Sequence, residues 1–148
     1  MRALLLGVFL ATLCFSSVAV AVAADAGDAI VGTWLTADGT SKVQIADAQG
    51  VYTGHVVWLK EPVSSADGKP KVDRENPDAA LRSRPIMGLP VLSGFHYAGD
   101  NVWDGGTVYT PATGKSYPCK LTLVSDGSLK LTVGGMVGRT LAWTRSAR

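Results

Sequence analysis

Residues 116–133 read SYPCKLTLVSDGSLKLTV, and this stretch decides the fold class. Apolar side chains occupy alternate positions on both sides of Ser125-Asp126-Gly127, a tripeptide typical of tight turns. In the second half of the stretch, leucine and valine alternate with Lys130 and Thr132. A strand with one buried and one solvated face has this period of two, so the stretch predicts an antiparallel hairpin.

Similar short segments recur along the chain, separated by Gly, Asp, Asn and Pro. In the segment 51–60, Tyr52, Val56 and Trp58 are predicted to share one face. Seventeen glycines and the absence of any long segment with helical periodicity argue against a helical protein. We therefore predict an all-β domain, either a sandwich or an up-and-down barrel. The eight predicted strands are 30–36, 42–46, 51–60, 90–98, 101–109, 116–125, 129–133 and 139–145.

The amino-terminal segment has the composition of a secretory signal peptide. Arg2 provides a positive charge, residues 3–15 form an uncharged apolar region, and Ala21-Val22-Ala23 resembles a signal-peptidase site. We expect a cleaved leader over residues 1–24 and a mature domain over residues 25–148, located in the periplasm or secreted. The alternative is an uncleaved anchor, because the uncharged run approaches the ~20 residues that span a bilayer. The small residues at its end favour cleavage, which leaves no stable membrane span.

The mature domain is nearly neutral and carries a single cysteine. The chain has 14 Lys and Arg against 12 Asp and Glu, and loss of Arg2 with the leader leaves 13 against 12. This balance gives no indication of a nucleic-acid partner. Cys14 lies in the leader, so Cys119 can form no internal disulfide, and its place in an alternating strand predicts a buried side chain.

Residues 61–85 interrupt the series of strands with a segment longer than the ~12–15 residues of ordinary connections. Asn76 is predicted to cap a short helix that has Pro77 at its first position. A mobile insertion is typically rich in glycine and serine, which this segment is not. We therefore expect an ordered loop that packs Leu81 and Ile86 against the sheet.

Enzymatic motifs are mostly incomplete in this chain. Residues 113–116 read TGKS and resemble the end of a phosphate-binding loop, but Tyr109 stands where the first glycine is required and no helix is predicted to follow. His55 and His96 lie in separate predicted strands, where a structural role is more common than metal ligation. We predict no catalytic residue, no metal site and no cofactor.

The two ends of the mature domain carry aromatic and basic side chains that can meet. Gly32 and Trp34 open the first predicted strand, and Trp143 and Arg145 end the last one. If these strands pair to close a barrel, the arginine can stack over an indole and bond to backbone carbonyl groups. We expect Trp34 to be buried at this closed end, in contact with Arg145 or Arg139.

Several longer motifs give a more specific indication. They are GTW at 32–34, GHVVWL at 54–59, DxxNPxxxLRSRPIMGLP at 73–90, WDGGTVYTPxxGKxY at 103–117 and WTR at 143–145. This combination resembles the bacterial lipocalin-like family catalogued as domain of unknown function 2147, over nearly the whole mature chain. The resemblance implies a β-barrel of lipocalin topology in an exported protein. Together with the predicted strands and loop, we expect a single antiparallel lipocalin-like β-barrel of about eight strands, with one long loop carrying a short helix. It implies no activity.

The arginines of the long loop are the candidate ligand-binding residues. Arg82 and Arg84 are predicted to hold an anionic ligand group at a barrel mouth, together with Asp104, Trp103 and Tyr109. The structural alternative is that the arginines attach the loop to the barrel through acidic side chains, and the five acidic residues between positions 61 and 78 favour it. The carboxylates considered for that pairing are Asp73, Asp78 and Asp104.

These residues are compatible with three classes of function. The first is a non-catalytic periplasmic binder of a small apolar or anionic-amphipathic ligand, or an envelope accessory protein. The second is an envelope-associated enzyme that uses Asp104, His96 and an arginine of the loop. A scaffold for protein partners, with an exposed apolar patch at 86–92, is the third. The barrel interior discriminates, because a hollow apolar cavity with a polar mouth favours binding. The sequence leaves the oligomeric state open.

Overall fold

The computed structural model describes residues 25–134 and 138–147, which form a closed antiparallel β-barrel. Each strand pairs with the next along the chain, and the first pairs with the last. The strands are β1 (Gly32–Leu35), β2 (Ser41–Ala48), β3 (Val51–Leu59), β4 (Pro90–Gly99), β5 (Val102–Thr110), β6 (Lys115–Leu123), β7 (Leu129–Val133) and β8 (Arg139–Arg145). Two 3-10 helices accompany them, η1 (Ala26–Ile30) before β1 and η2 (Ala79–Leu81) in the long loop. Over the described residues, no helix has the length and apolar composition to cross a membrane.

The predicted strands are confirmed, each boundary lying within two residues of its observed position. In β7, Leu129 and Leu131 are fully buried, whereas Lys130 and Thr132 are exposed. The barrel is the correct choice between the two architectures, because β1 and β8 pair through Trp34 and Arg145.

The structure corrects the predicted face of Trp58. Lys42 lies opposite Trp58, whereas the next residue of β2, Val43, lies opposite Val56. Val57 is therefore an extra residue on β3, and a bulge of this kind moves the following side chains to the other face. Trp58 is 39% exposed, with the Lys42 ammonium 5.5 Å from the centre of its ring.

Helix η1 covers one end of the barrel. The Trp103 Nε1 donates to the carbonyl of Gly27 over 3.0 Å, and the Trp34 Nε1 donates to that of Ile30 over 2.8 Å. A Cβ atom at Gly27 would overlap the Tyr52 hydroxyl, so glycine lets the helix lie this close to the barrel. The prediction that Ile30 begins a strand is wrong, because this residue ends η1 and fills the closed end with its side chain.

Arg145 of β8 joins the last strand to Trp34 and to the backbone beside η1 at the closed end. Its guanidinium carbon lies 4.3 Å from the centre of the Trp34 ring. Its Nη1 and Nη2 donate to the carbonyls of Val31 and Ala29 over 3.2 and 2.6 Å. The contact expected between Trp34 and a basic side chain of the last strand is therefore present, although the guanidinium remains exposed to solvent.

Candidate functional site

The half of the barrel opposite η1 contains a cavity, and valines of four strands line it. In the closed half, β2 to β5 contribute Ile45, Tyr52, Phe95 and Trp103. In the open half, the same strands contribute Val43, Val56, Val91 and Val108. The valines leave a cavity of about 370 Å³, a volume within the ~300–1,000 Å³ of small-molecule sites.

The remaining apolar wall comes from the last strand and the long loop. Leu141 and Trp143 of β8, Tyr109 of β5 and Ile86 of the loop line the cavity. Ile86 also packs against the core, which confirms its predicted role. Leu81 is 38% exposed, so the prediction that it packs against the barrel is wrong.

Polar side chains surround the mouth of the cavity. They are Thr36, Asp38, Ser41, Thr110 and Arg139. The Asp38 carboxylate accepts hydrogen bonds from the Thr36 hydroxyl at 2.6 Å and from the Thr40 amide at 3.1 Å. The bond from Thr36 is the main reason that the pKa of Asp38 is lowered, so this carboxylate is ionised at neutral pH.

A groove of about 690 Å³ adjoins the mouth, between the barrel and the long loop. Asp38, Ser41, Ile86, Thr110 and Pro111 line both the groove and the cavity. The two spaces are therefore contiguous, with an apolar inner part and a more polar outer part. The wall that they share includes Ile86, one of the two loop residues predicted to pack against the sheet.

The long loop is attached to the barrel by a buried carboxylate. Asp73 has no exposed surface, and its Oδ1 accepts a hydrogen bond from the Tyr109 hydroxyl over 2.6 Å. Its Oδ2 accepts from the Asn76 Nδ2 over 2.7 Å and pairs with the Arg84 Nη2 over 3.1 Å. Because Tyr109 also lines the cavity, this cluster joins the loop directly to the candidate site.

The pKa values of the cluster reflect these bonds. Burial alone raises the pKa of Asp73, but hydrogen bonds from Tyr109, Asn76 and Arg84 outweigh burial and leave the pKa below its ordinary value of 3.8. Burial and the bond to the Asp73 carboxylate raise the pKa of Tyr109. The pair is therefore an ionised carboxylate with a protonated phenol at neutral pH.

Backbone contacts complete the attachment. The Gly88 amide donates to the Val56 carbonyl over 2.8 Å, and the Val56 amide donates to the Leu89 carbonyl over 3.0 Å. A Cβ atom at Gly114 would overlap the Glu75 carbonyl, so glycine permits the turn after β5 to touch the loop. These contacts hold the loop over the barrel mouth, as expected for an ordered loop.

The short helix in the loop differs from the prediction. Helix η2 begins at Ala79, and its capping residue is Asp78, whose carboxylate accepts from the Ala80 amide over 3.0 Å. Asn76 does not cap the helix, because its side chain is used by Asp73 and by the Asp78 amide. Pro77 precedes the cap and lies outside the helix.

The structure separates the residues that were predicted to form one ligand site. Tyr109 lines the cavity. Arg84 is behind this wall, where its guanidinium pairs with Asp73, the carboxylate that accepts a hydrogen bond from Tyr109. The Arg82 Nε donates to the Asn76 carbonyl over 2.8 Å, within the loop. Of the pairings considered for the arginines, the structure contains the one between Arg84 and Asp73.

The other two predicted residues lie elsewhere on the barrel. Asp104 is on the outer face of β5, where it pairs with Lys120 over 3.2 Å. Trp103 points the opposite way, into the closed end, and has no exposed surface. The predicted approach of the loop arginines to Asp104 is therefore wrong, because Asp104 lies outside the barrel and is paired there with a lysine.

Arg139 and Trp143 were not predicted to line a site, although a signal for them exists. Arg139, Leu141, Trp143 and Arg145 occupy alternate positions of β8 and share one face. Since Leu141 and Trp143 point inward, the first residue of this series lies at the open rim. The alternation of β8 would therefore have located Arg139.

The remaining reactive side chains take no part in the cavity. His96 lies opposite Asp104 on the outer face of β4 and β5, and His55 is also exposed. Among the described residues, no group of three histidine, cysteine or acidic side chains is placed to hold a metal ion. Cys119 is buried, as predicted, and burial raises the pKa of its thiol to about 11.

A closed eight-stranded antiparallel barrel with one covered end and a cavity at the other defines a lipocalin-like protein. The sequence model of the family DUF2147, described as "Uncharacterized protein conserved in bacteria", matches residues 32–145, and the chain belongs to this family. Its barrel is similar to that of protein HP1028 from Helicobacter pylori, which is described as belonging to the lipocalin family. The two share 25% identity with a TM-score of 0.68, over 80% of this chain and 83% of the other. Comparison with curated proteins gives no match.

Proposed function

We propose that this protein is a non-catalytic binder of a small apolar or amphipathic molecule, held in the open half of the barrel. The observation that supports this function is the cavity of about 370 Å³, which has an apolar wall and a polar mouth. Sites for small molecules typically combine an apolar lining with a few polar groups that fix orientation. The similarity to a protein described as a lipocalin family member is consistent with this function.

An enzyme has less support from the same observations. Asp104 and His96 lie on the outer face of the barrel, and neither lines the cavity or the groove. A partner scaffold also has less support, because the segment 86–92 buries Leu89, Val91 and Leu92. Met87, which is 45% exposed, leaves only a small apolar surface there.

We further propose that the protein acts in the periplasm or is secreted, as part of the cell envelope. This proposal comes from the signal-peptide composition of residues 1–24, which lie outside the described residues. A carrier that keeps an apolar molecule out of water suits an aqueous compartment between two membranes.

Binding of N-phenyl-1-naphthylamine, a small apolar dye, tests the binding function. Val108→Phe places a ring in the cavity, so we expect the dye to bind at least tenfold more weakly than to wild type. Thr107→Phe is the matched control, because Thr107 precedes Val108 in β5 and its side chain is exposed on the outer face. Dye affinity should be unchanged in this control, and thermal melting of both variants verifies that they are folded.

Equal dye affinity in wild type and Val108→Phe would contradict binding in the cavity. Failure of the wild-type protein to bind this dye or any ten-carbon amphiphile would contradict the binding function itself. If the dye binds as expected, native mass spectrometry of protein purified from the periplasm would identify which molecule is retained.

A further inference from the structure

The approach to the cavity carries an excess of positive charge. Four basic side chains line the mouth and the adjoining groove, against two acidic ones. The basic residues are Arg139, Lys60, Lys71 and Arg74, and the acidic residues are Asp38 and Glu61. The whole mature chain has an excess of only one basic residue, so positive charge is concentrated at this end of the barrel.

Both acidic side chains already have partners. Glu61 pairs with Lys71 over 3.3 Å. Asp38 accepts hydrogen bonds from Thr36 and Thr40, and these stabilise its charge. Within residues 25–134 and 138–147, no ion pair is formed by Arg139, Lys60 or Arg74. Three positive charges and the negative charge of Asp38 therefore remain outside ion pairs around the mouth, which leaves a net positive charge for an anion to approach.

The apolar and basic surfaces are continuous. The cavity ends at Arg139, and the groove that carries Lys60 and Arg74 begins at the same rim, shared through Ser41 and Thr110. An unbranched chain in the cavity would thus bring its polar end to the arginine. A guanidinium binds a carboxylate or phosphate through two parallel hydrogen bonds, which fixes orientation as well as adding affinity.

We infer that the cavity and the groove together bind a single-chain amphiphile with an anionic head, its chain among the valines and its head against Arg139. Lys60 and Arg74 raise the positive potential along the entry path. This inference rests on the proposed function and names its ligand class. The cavity holds the volume of roughly a dozen liquid water molecules at ~30 Å³ each, which suits a chain of about ten carbons.

Isothermal titration with sodium decanoate, decyl phosphate and decan-1-ol, at neutral pH and low ionic strength, tests the inference. We expect the wild-type protein to bind both anions at least tenfold more tightly than the alcohol. Arg139→Ala should weaken decanoate binding about tenfold or more, the effect of losing one hydrogen bond to a charged group, and leave decan-1-ol binding unchanged. The double variant Lys60→Ala with Arg74→Ala should weaken binding of the two anions less than Arg139→Ala does. Added salt should weaken anion binding by the wild-type protein in the same way.

Lys130→Ala is the matched control, because Lys130 is exposed on the outer face of β7. Its affinities should equal those of the wild-type protein. Sodium acetate, which has the head group without the chain, should not displace decanoate. Equal affinity for decanoate and decan-1-ol, retention of the preference in Arg139→Ala, or displacement by acetate would overturn the inference. The proposed function would survive each of these results. Failure of all three ten-carbon probes to bind would remove the inference, and failure of the dye to bind as well would remove the proposed function.

Discussion

Trp34 and Trp58 occupy opposite environments in the same barrel. Trp34 has no exposed surface, donates to the Ile30 carbonyl and lies under Arg145. Trp58 lies on the outer face beyond the β3 bulge and is 39% exposed. The first side chain is therefore part of the core, whereas the second contacts Lys42 at the surface.

We expect Trp34→Ala to lower the free energy of unfolding by about 3–5 kcal/mol, because a large buried ring leaves a cavity. Trp58→Ala is the matched control, and its cost should stay below about 1 kcal/mol, the value of an exposed cation–π contact. Urea unfolding of the three proteins measures the difference. Similar midpoints for Trp34→Ala and wild type would show that the closed end does not stabilise the barrel.

Contacts of single residues were predictable where the topology of a barrel determines them. The contact of Trp34 with Arg145 followed from their places in the first and last strands, which pair when a barrel closes. The role of Asp73 did not, because its partner Tyr109 lies 36 positions away and no local pattern joins them. Buried polar clusters of this kind depend on the final packing, which the sequence shows only through distant pairs.

At the scale of elements, the long loop depends on Tyr109. Tyr109→Phe removes one donor from the buried Asp73 carboxylate and should lower stability by about 1.5–3 kcal/mol, the usual range for a hydrogen bond to a charged group. Amide exchange should accelerate in residues 71–89 more than in the strands. Tyr117→Phe is the control, since among the described residues its hydroxyl has no side-chain hydrogen bond. Unchanged exchange in Tyr109→Phe would show that this bond does not hold the loop.

The effect of Tyr109→Phe should also depend on pH. The folded protein has an Asp73 pKa below 3.8, so the carboxylate contributes stability that is present above the unfolded pKa and lost as pH falls through the folded value. Loss of the Tyr109 donor moves the folded pKa upward. The difference in unfolding free energy between the two proteins should therefore be full at pH 7 and shrink below about pH 4. A difference that is constant from pH 7 to pH 2.5 would exclude the ionised Asp73 as its source.

The strands were predictable as elements because several show clear alternation and turn residues separate them, and their boundaries lie within two residues of the prediction. The bulge in β3 was not predictable, because Val57 is an extra residue only in relation to the register of the partner strand β2. Helix η1 was missed because Ile30 continues the apolar pattern of β1. The predicted cap of η2 was Asn76, whereas the observed cap is Asp78, because the Asn76 side chain donates a hydrogen bond to Asp73.

At the scale of the whole molecule, the sequence predicts export. The mature amino terminus is expected at Ala24 or Asp25, which follow the Ala21-Val22-Ala23 site. Intact-mass measurement of protein from the periplasmic fraction checks this, and a cytoplasmic variant without residues 2–23 is the control for total expression. A periplasmic species that retains Met1 or Cys14 would contradict cleavage.

The choice between a sandwich and a barrel could not be made from strands alone, because closure is a property of the whole chain. The resemblance to the lipocalin-like family indicated a barrel, and the pairing of β1 with β8 is the observation that decides it. Whether the interior is hollow depends on which half of each strand carries valine. That distribution was present in the sequence but is interpretable only once the strand register is known.

The pairing of β1 with β8 also constrains the order in which the protein can fold. It joins the first strand to the last, the most distant contact in sequence that an eight-stranded meander can form. Contacts between distant segments carry a large loop-closure cost and slow the folding of β proteins. Until residues 139–145 have joined the sheet, two strand edges stay open and can pair with other chains. The carboxyl-terminal strand therefore closes both open edges of the sheet, and a nascent chain that lacks this strand is prone to aggregation through those edges.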